Sequence, residues 1–105
     1  MTTYYDLTGF QRDLLEAIAA VDDDPYGLAL KDYLDERYPN PVNHSRLYQN
    51  LDRLADQGLI IRDELDARTN VYTLTDAGRR ALQRRADTLA SLCEQPRPVV
   101  GGGRQ

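Results

Sequence analysis

The apolar residues Leu7, Phe10, Leu14, Ile18 and Val21 follow one another at steps of three and four, the repeat of an amphipathic helix that buries one face. Thr8 followed by Gln11 supplies a capping box at its start. The run Asp22-Asp23-Asp24-Pro25 breaks the pattern and reads as a loop into a second helix, with aspartates beside the positive end of its dipole and Pro25 near its first turn. That helix is predicted to reach about Arg37 on a stripe of Tyr26, Leu30, Tyr33 or Leu34, and Tyr38, and to stop before Pro39. A turn over residues 38–42 then leads to Asn43, an N-cap for a third helix ending at Gly58, a good C′ residue.

Leu59-Ile60-Ile61-Arg62 and Asn70-Val71-Tyr72-Thr73-Leu74 are rich in residues that favour strands, and the polar stretch Asp63 to Thr69 between them reads as a moderately long hairpin loop. Thr75-Asp76 opens a fourth helix by N-cap and dipole logic, continuing to about Glu94. Residues 95–105 have no periodicity and are expected to form a disordered tail. The predicted fold is mainly α with a small β-hairpin (α+β), a winged helix-turn-helix over residues 7–94 whose last helix, about 75–94, is a dimerisation element.

At about 100° per residue, Leu47, Leu51 and Leu54 of the third helix share a narrow arc flanked by Tyr48 and Ala55, and must face a core. Arg46, Gln49, Asn50, Arg53 and Gln57 are expected on the other side. A helix that reads DNA needs such a face, because arginine gives two donors to guanine while glutamine and asparagine pair with adenine. An ordinary solvated helix face is the competing reading of the same residues.

Composition sharpens this picture and removes other classes. With 105 residues and 41% hydrophobic content the chain builds one domain with one modest core. No 18 apolar residues run together and Met1 to Leu7 lacks a signal peptide's pattern, so a cytoplasmic location without membrane association is expected. One cysteine and one histidine supply neither a disulfide framework nor a usual structural zinc site, and no metal or cofactor is expected. Net charge −4 runs against the basic footprint of a DNA binder. Yet 13 of the 17 acids are aspartate and 12 of the 13 bases arginine, with Lys31 the lone lysine, a balance resembling proteins that work in molar intracellular salt. There the Debye length is about 3 Å, and an acidic surface no longer repels DNA at a distance.

The order Pro-Val-Asn-His-Ser-Arg-Leu-Tyr-Gln-Asn-Leu-Asp-Arg-Leu-Ala-Asp-Gln-Gly-Leu-Ile (41–60) resembles the signature of PadR-like winged-helix transcriptional regulators. Pro25-Tyr26-Gly27 looks like the start of that family's second helix, and Val71-Tyr72-Thr73-Leu74-Thr75-Asp76-Ala77-Gly78-Arg79-Arg80-Ala81-Leu82 like its second wing strand and C-terminal helix. The likeness spans roughly residues 7–93, although Leu-Thr-x-x-Gly-Arg also occurs in related families such as MarR. Where family members commonly carry Ser-Pro-Gly-Thr this chain has Asn43-His44-Ser45-Arg46, so specificity does not carry across. The wing departs too, since Asp63, Glu64 and Asp66 accompany Arg62 and Arg68. Contact with phosphate or the minor groove would rest mainly on Arg68, with Thr69 and Asn70 as neutral donors, against the reading of Arg68 as a plain exposed arginine. Tyr48 is expected in the core, with a phosphate contact by its hydroxyl as the alternative, and His44 either donates to a phosphate or is simply solvated.

Leu82, Ala86, Leu89 and Cys93, with Leu92 beside them, repeat at four, three and four along the fourth helix, a spacing that suits a helix-pairing seam. The first and third helices already supply a core, so a second copy is the better use of this stripe, and the resemblance implies dimers through it. Arg79, Arg80, Arg84 and Arg85 occupy other positions, as solvated cations or phosphate contacts. No basic residue adjoins Cys93 in the sequence to activate a thiol, so it reads as a small hydrophobe in the seam rather than a redox sensor.

The expected function is sequence-specific binding of double-stranded DNA by a homodimer, as a repressor competing with the transcription machinery. The alternative is a winged helix used only for protein contact, which should expose apolar anchors on the third helix. An enzyme is not expected, because no nucleophile-base pair, phosphate loop or metal cluster assembles. The resemblance also implies a small-molecule effector near the dimer interface, of unknown identity.

Overall fold

The computed structural model describes residues 4–21 and 23–94. A short turn, η1 (Tyr4–Asp6), precedes α1 (Gly9–Ala20), α2 (Gly27–Asp35), α3 (His44–Asp56), the strands β1 (Ile60–Asp66) and β2 (Thr69–Leu74), and α4 (Asp76–Glu94). This is the predicted order, three helices, a hairpin and a fourth helix, with η1 added. The expected tail and Asp22 lie outside the described residues.

Side chains named by the sequence start three helices. Thr8 Oγ1 accepts from the Gln11 amide at 3.2 Å while Gln11 Oε1 accepts from the Thr8 amide at 3.1 Å, closing the capping box on α1. Asn43 Oδ1 accepts from the Arg46 amide at 3.0 Å, and Thr75 Oγ1 from the Gly78 amide at 3.1 Å. The start of α2 differs from expectation. Its N-cap is Tyr26, which offers no side-chain cap. Asp24 instead takes a left-handed turn at φ 49°. Pro25 and Tyr26 then run beside β2, where the Tyr72 amide donates to the Pro25 carbonyl at 3.0 Å and Tyr26 pairs with Val71. α2 ends at Asp35, two residues short of Arg37. Lys31 and the Val42 amide both donate to that carboxylate, at 2.6 and 2.7 Å, and together hold it below the usual carboxylate range.

Leu14, Leu15, Leu30, Leu34, Leu47, Leu51, Leu54 and Leu59 are fully enclosed, with Phe10, Ile18, Ile60 and Tyr72 around them. Each such side chain contributes about 1.5–3 kcal/mol by leaving water. Tyr26 does not join them: it is 38% exposed, and α2 buries Leu30 and Leu34, with Tyr33 and Tyr38 partly covered. The half-buried tyrosines tie α2 to α1. Tyr33 donates to Glu16 at 2.7 Å under the Arg37 guanidinium, and Tyr38 donates to Asp13, where burial and then that carboxylate push its phenol up to about 12.

The wing is longer in strand and shorter in loop than the sequence suggested. β1 and β2 pair from Ile60 with Leu74 to Asp66 with Thr69, with an irregularity between Glu64 and Asp66, leaving Ala67 and Arg68 at the tip. Residues 63–66 are strand because the ladder satisfies their backbone. Their side chains are exposed, so no alternation of apolar and polar residues marks them.

α4 meets the core only at its beginning, where Gly78 is its buried residue. A Cβ at Gly78 would overlap the Leu59 carbonyl oxygen, a backbone atom fixed between α3 and β1. Gly78→Ala is therefore expected to cost about 1–3 kcal/mol through overpacking, read as a lower urea midpoint at unchanged slope. Further along, Arg85 donates to the Tyr5 hydroxyl at 3.2 Å, while Arg12 of α1 donates to the carbonyls of Tyr4 and Tyr5 at 3.1 and 3.3 Å. η1 thereby bridges α1 and α4.

Candidate nucleic-acid interface

α3 turns Leu47, Leu51 and Leu54 inward and leaves His44, Ser45, Arg46, Gln49, Arg53 and Gln57 exposed. The Gln49 and Arg53 side chains make no hydrogen bond or ion pair among the described residues, so both are free to engage a ligand. Arg46 is exposed but not free, since its guanidinium lies 4.0 Å from the centre of the Phe10 ring. Asn43 spends its side-chain oxygen on capping. Asp52 is paired with Arg62 of β1 at 3.2 Å, an exposed contact of little energetic weight.

Two α3 residues sit elsewhere than expected. Asn50 is 8% exposed, not on the polar face: its Oδ1 accepts from Gln11 Nε2 at 3.1 Å and its Nδ2 donates to the Arg46 carbonyl at 2.8 Å. Tyr48 is 39% exposed rather than core. Its hydroxyl end rests on Gly27, at a spot where a Cβ would overlap it, so the first turn of α2 needs a glycine for Tyr48 to lie there.

Tyr48 also lines a cleft of about 230 Å³ between α2, α3 and the wing, together with Tyr26, Leu28, Arg68, Asn70 and Tyr72. The sequence reading placed Tyr48, Arg68 and Asn70 among candidate contacts but missed Tyr26, Leu28 and Tyr72. The long-range pairing of Tyr26 with Val71 brings them together, and no local pattern signals it. Burial raises the Tyr72 phenol above its ordinary value. At the wing tip the Arg68 amide donates to Asp66 at 2.9 Å, holding that carboxylate below the usual range.

On α4, Leu82 is half-buried and Ala86, Leu89, Leu92 and Cys93 are exposed, with Leu89 at 43% and Leu92 at 52%. The stripe expected to form a seam is thus uncovered in the single chain. Among the described residues no helix is long and apolar enough to cross a membrane, and no cluster of three or more metal-ligating side chains occurs.

A helix pair with an exposed polar second helix, followed by a two-stranded wing, defines a winged-helix protein of the transcription-regulator class. Residues 14–84 match the transcriptional regulator PadR-like family, and the chain belongs to that family. A complex structure of RosR from H. salinarum, RosR-S1, superposes with a TM-score of 0.78 at 42% identity, covering 87% of this chain and 80% of that one. RosR from crystals grown in NaBr gives 0.77 at 42% identity, with 87% and 82% covered. MepR of S. aureus in complex with DNA shares the fold, with a TM-score of 0.70 at 19% identity over 86% of this chain and 62% of that one. No match was found among curated protein sequences. The chain is a transcriptional regulator, not an enzyme.

Proposed function

We infer that the chain binds double-stranded DNA sequence-specifically as a homodimer, with α3 in the major groove and the hairpin at the backbone or minor groove. The observation that carries this reading is the outward face of α3, where Gln49 and Arg53 stand unpaired beside Ser45 and His44. Protein-contact helices present apolar anchors at their centre, whereas the outward face around Gln49 and Arg53 is polar and the exposed Tyr48 lies at its flank against Gly27. Arg68 at the wing tip and Asn70 in the cleft wall flank α3 as backbone contacts, together with Tyr48 on the cleft side of α3 itself. The DNA complex of the fold neighbour MepR supports the same use of the scaffold. The uncovered stripe on α4 supports pairing with a second copy. Occupying promoter DNA excludes the transcription machinery from the same base pairs, so the inferred effect is repression, in a cytoplasm rich in salt.

The test is selection of duplexes from a random library, followed by titration of the enriched duplex and a scrambled one. Arg53→Ala is expected to lose about 1–3 kcal/mol of preference for the enriched duplex, with circular dichroism unchanged. A wild-type protein that enriches nothing, or an Arg53→Ala variant that discriminates equally well, contradicts base reading by this face.

A further inference from the structure

Gln11 and Asn50 are buried polar side chains in an otherwise apolar core, at 5% and 8% exposure, and they bond to each other. The bond is one link of a longer chain. Gln11 Oε1 is occupied by the Thr8 amide and its Nε2 by Asn50, whose own Nδ2 holds the Arg46 carbonyl. The Arg46 amide is meanwhile taken by Asn43, and its guanidinium lies over Phe10, next to Gln11 in α1. The first turn of α3 is thus fastened, by backbone and side chain, to the first turn of α1.

Leucine packing alone leaves the rotation of α3 about its axis weakly defined, because hydrophobic attraction has no direction. A buried hydrogen bond does have one, since slipping out of register leaves its donor and acceptor unpaired away from water. Rotation matters for a helix that reads bases. Side-chain tips lie about 5–6 Å from a helix axis, so a turn of about 10° moves them by about 1 Å. That is twice the tolerance of roughly 0.5 Å within which a recognition geometry must be held.

We propose that the Gln11–Asn50 hydrogen bond is a positioning device that sets the rotation of α3, and thereby sequence discrimination, without either side chain touching DNA. The inference rests on the DNA-reading function proposed above. Its signature is selective: affinity for the enriched duplex falls while affinity for scrambled DNA, carried by phosphate contacts that tolerate small rotations, is kept.

Two variants test this. Gln11→Met cuts the link from α1, takes the acceptor of the Thr8 amide with it, and leaves every residue of α3 unchanged. Q11M/N50L replaces both partners with apolar side chains, leaving neither side-chain amide orphaned while the Thr8 amide loses its acceptor as in the single variant, and is the variant to read if Gln11→Met is unfolded by circular dichroism. Each is titrated against the duplex enriched by the wild type and against its scrambled counterpart. The expected result is at least a tenfold fall in the ratio of the two affinities, with scrambled-duplex affinity within twofold of wild type. A folded variant that keeps the wild-type ratio, or loses both affinities in equal proportion, overturns the inference and leaves the DNA reading standing. A wild type that enriches no duplex overturns the DNA reading, and this inference with it.

Discussion

Affinity for target DNA, followed by fluorescence anisotropy, is expected to stay flat or rise between about 0.5 and 3 M KCl, where the Debye length is only a few ångström. A conventional binder that neutralises about six phosphates releases cations and loses roughly four orders of magnitude over such a sixfold increase in salt. This chain brings negative charge as well. Asp23 and Asp24 precede α2, Asp32 and Glu36 lie on or just past it, and Asp63, Glu64 and Asp66 line the wing, all exposed. When these approach a polyanion, cations must be retained or taken up between the two surfaces, and uptake opposes release. The arginines available to phosphate are few by comparison, with Arg46 against Phe10 and Arg62 paired with Asp52. Circular dichroism must accompany the titration, because acidic self-repulsion is expected to destabilise the domain at the low-salt end, and any affinity lost by unfolding must be told apart from affinity lost by salt. A steep loss of affinity with rising KCl, in protein that stays folded, would remove the acidic surface from the binding mechanism.

Leu89→Glu is expected to turn the proposed homodimer into a folded monomer. Two-fold pairing of α4 would place two carboxylates in the seam, each costing several kcal/mol when buried without a partner. With a factor of ten for every 1.4 kcal/mol, dimer affinity should fall by at least about three orders of magnitude. The protomer itself should not suffer, because past Gly78 no residue of α4 is buried in the single chain. Arg84→Glu, an exposed position outside the apolar stripe, serves as the control and should leave the dimer intact. Sedimentation in high salt measures both, and a Leu89→Glu protein that sediments as a dimer would exclude this face from the interface.

Elements whose cause is local were legible in the sequence. The Thr8–Gln11 capping box, the Asn43 cap and the Thr75 cap each need only residues three apart, and the leucine arcs of α1 and α3 need only helical periodicity. What depends on distant partners was not legible. η1 exists because Arg12 and Arg85 reach back to Tyr4 and Tyr5, and the bare start of α2 because Pro25 and Tyr26 lean on β2. Asn50 lies between these cases. The same helical step that puts Leu47 and Leu54 inside places Asn50 closer to them than to Gln49, so its position was readable from the pattern. Its chemical type drew it to the polar face instead. A buried asparagine is stable only with a partner, and Gln11 is 39 residues away.

The wing also bears on self-association. A two-stranded ribbon has two outer edges, each a row of backbone donors and acceptors inviting another strand. On β2 that edge is engaged by Pro25 and Tyr26, whereas on β1 no described residue pairs along it. The acids fall on the open strand: Asp63, Glu64 and Asp66 surround exposed Leu65, and the irregularity between Glu64 and Asp66 breaks the ladder at that point. Charges and a broken ladder are what keep an unpaired strand from recruiting its neighbours. The acids of the open strand thus guard this regulator against sheet-to-sheet aggregation.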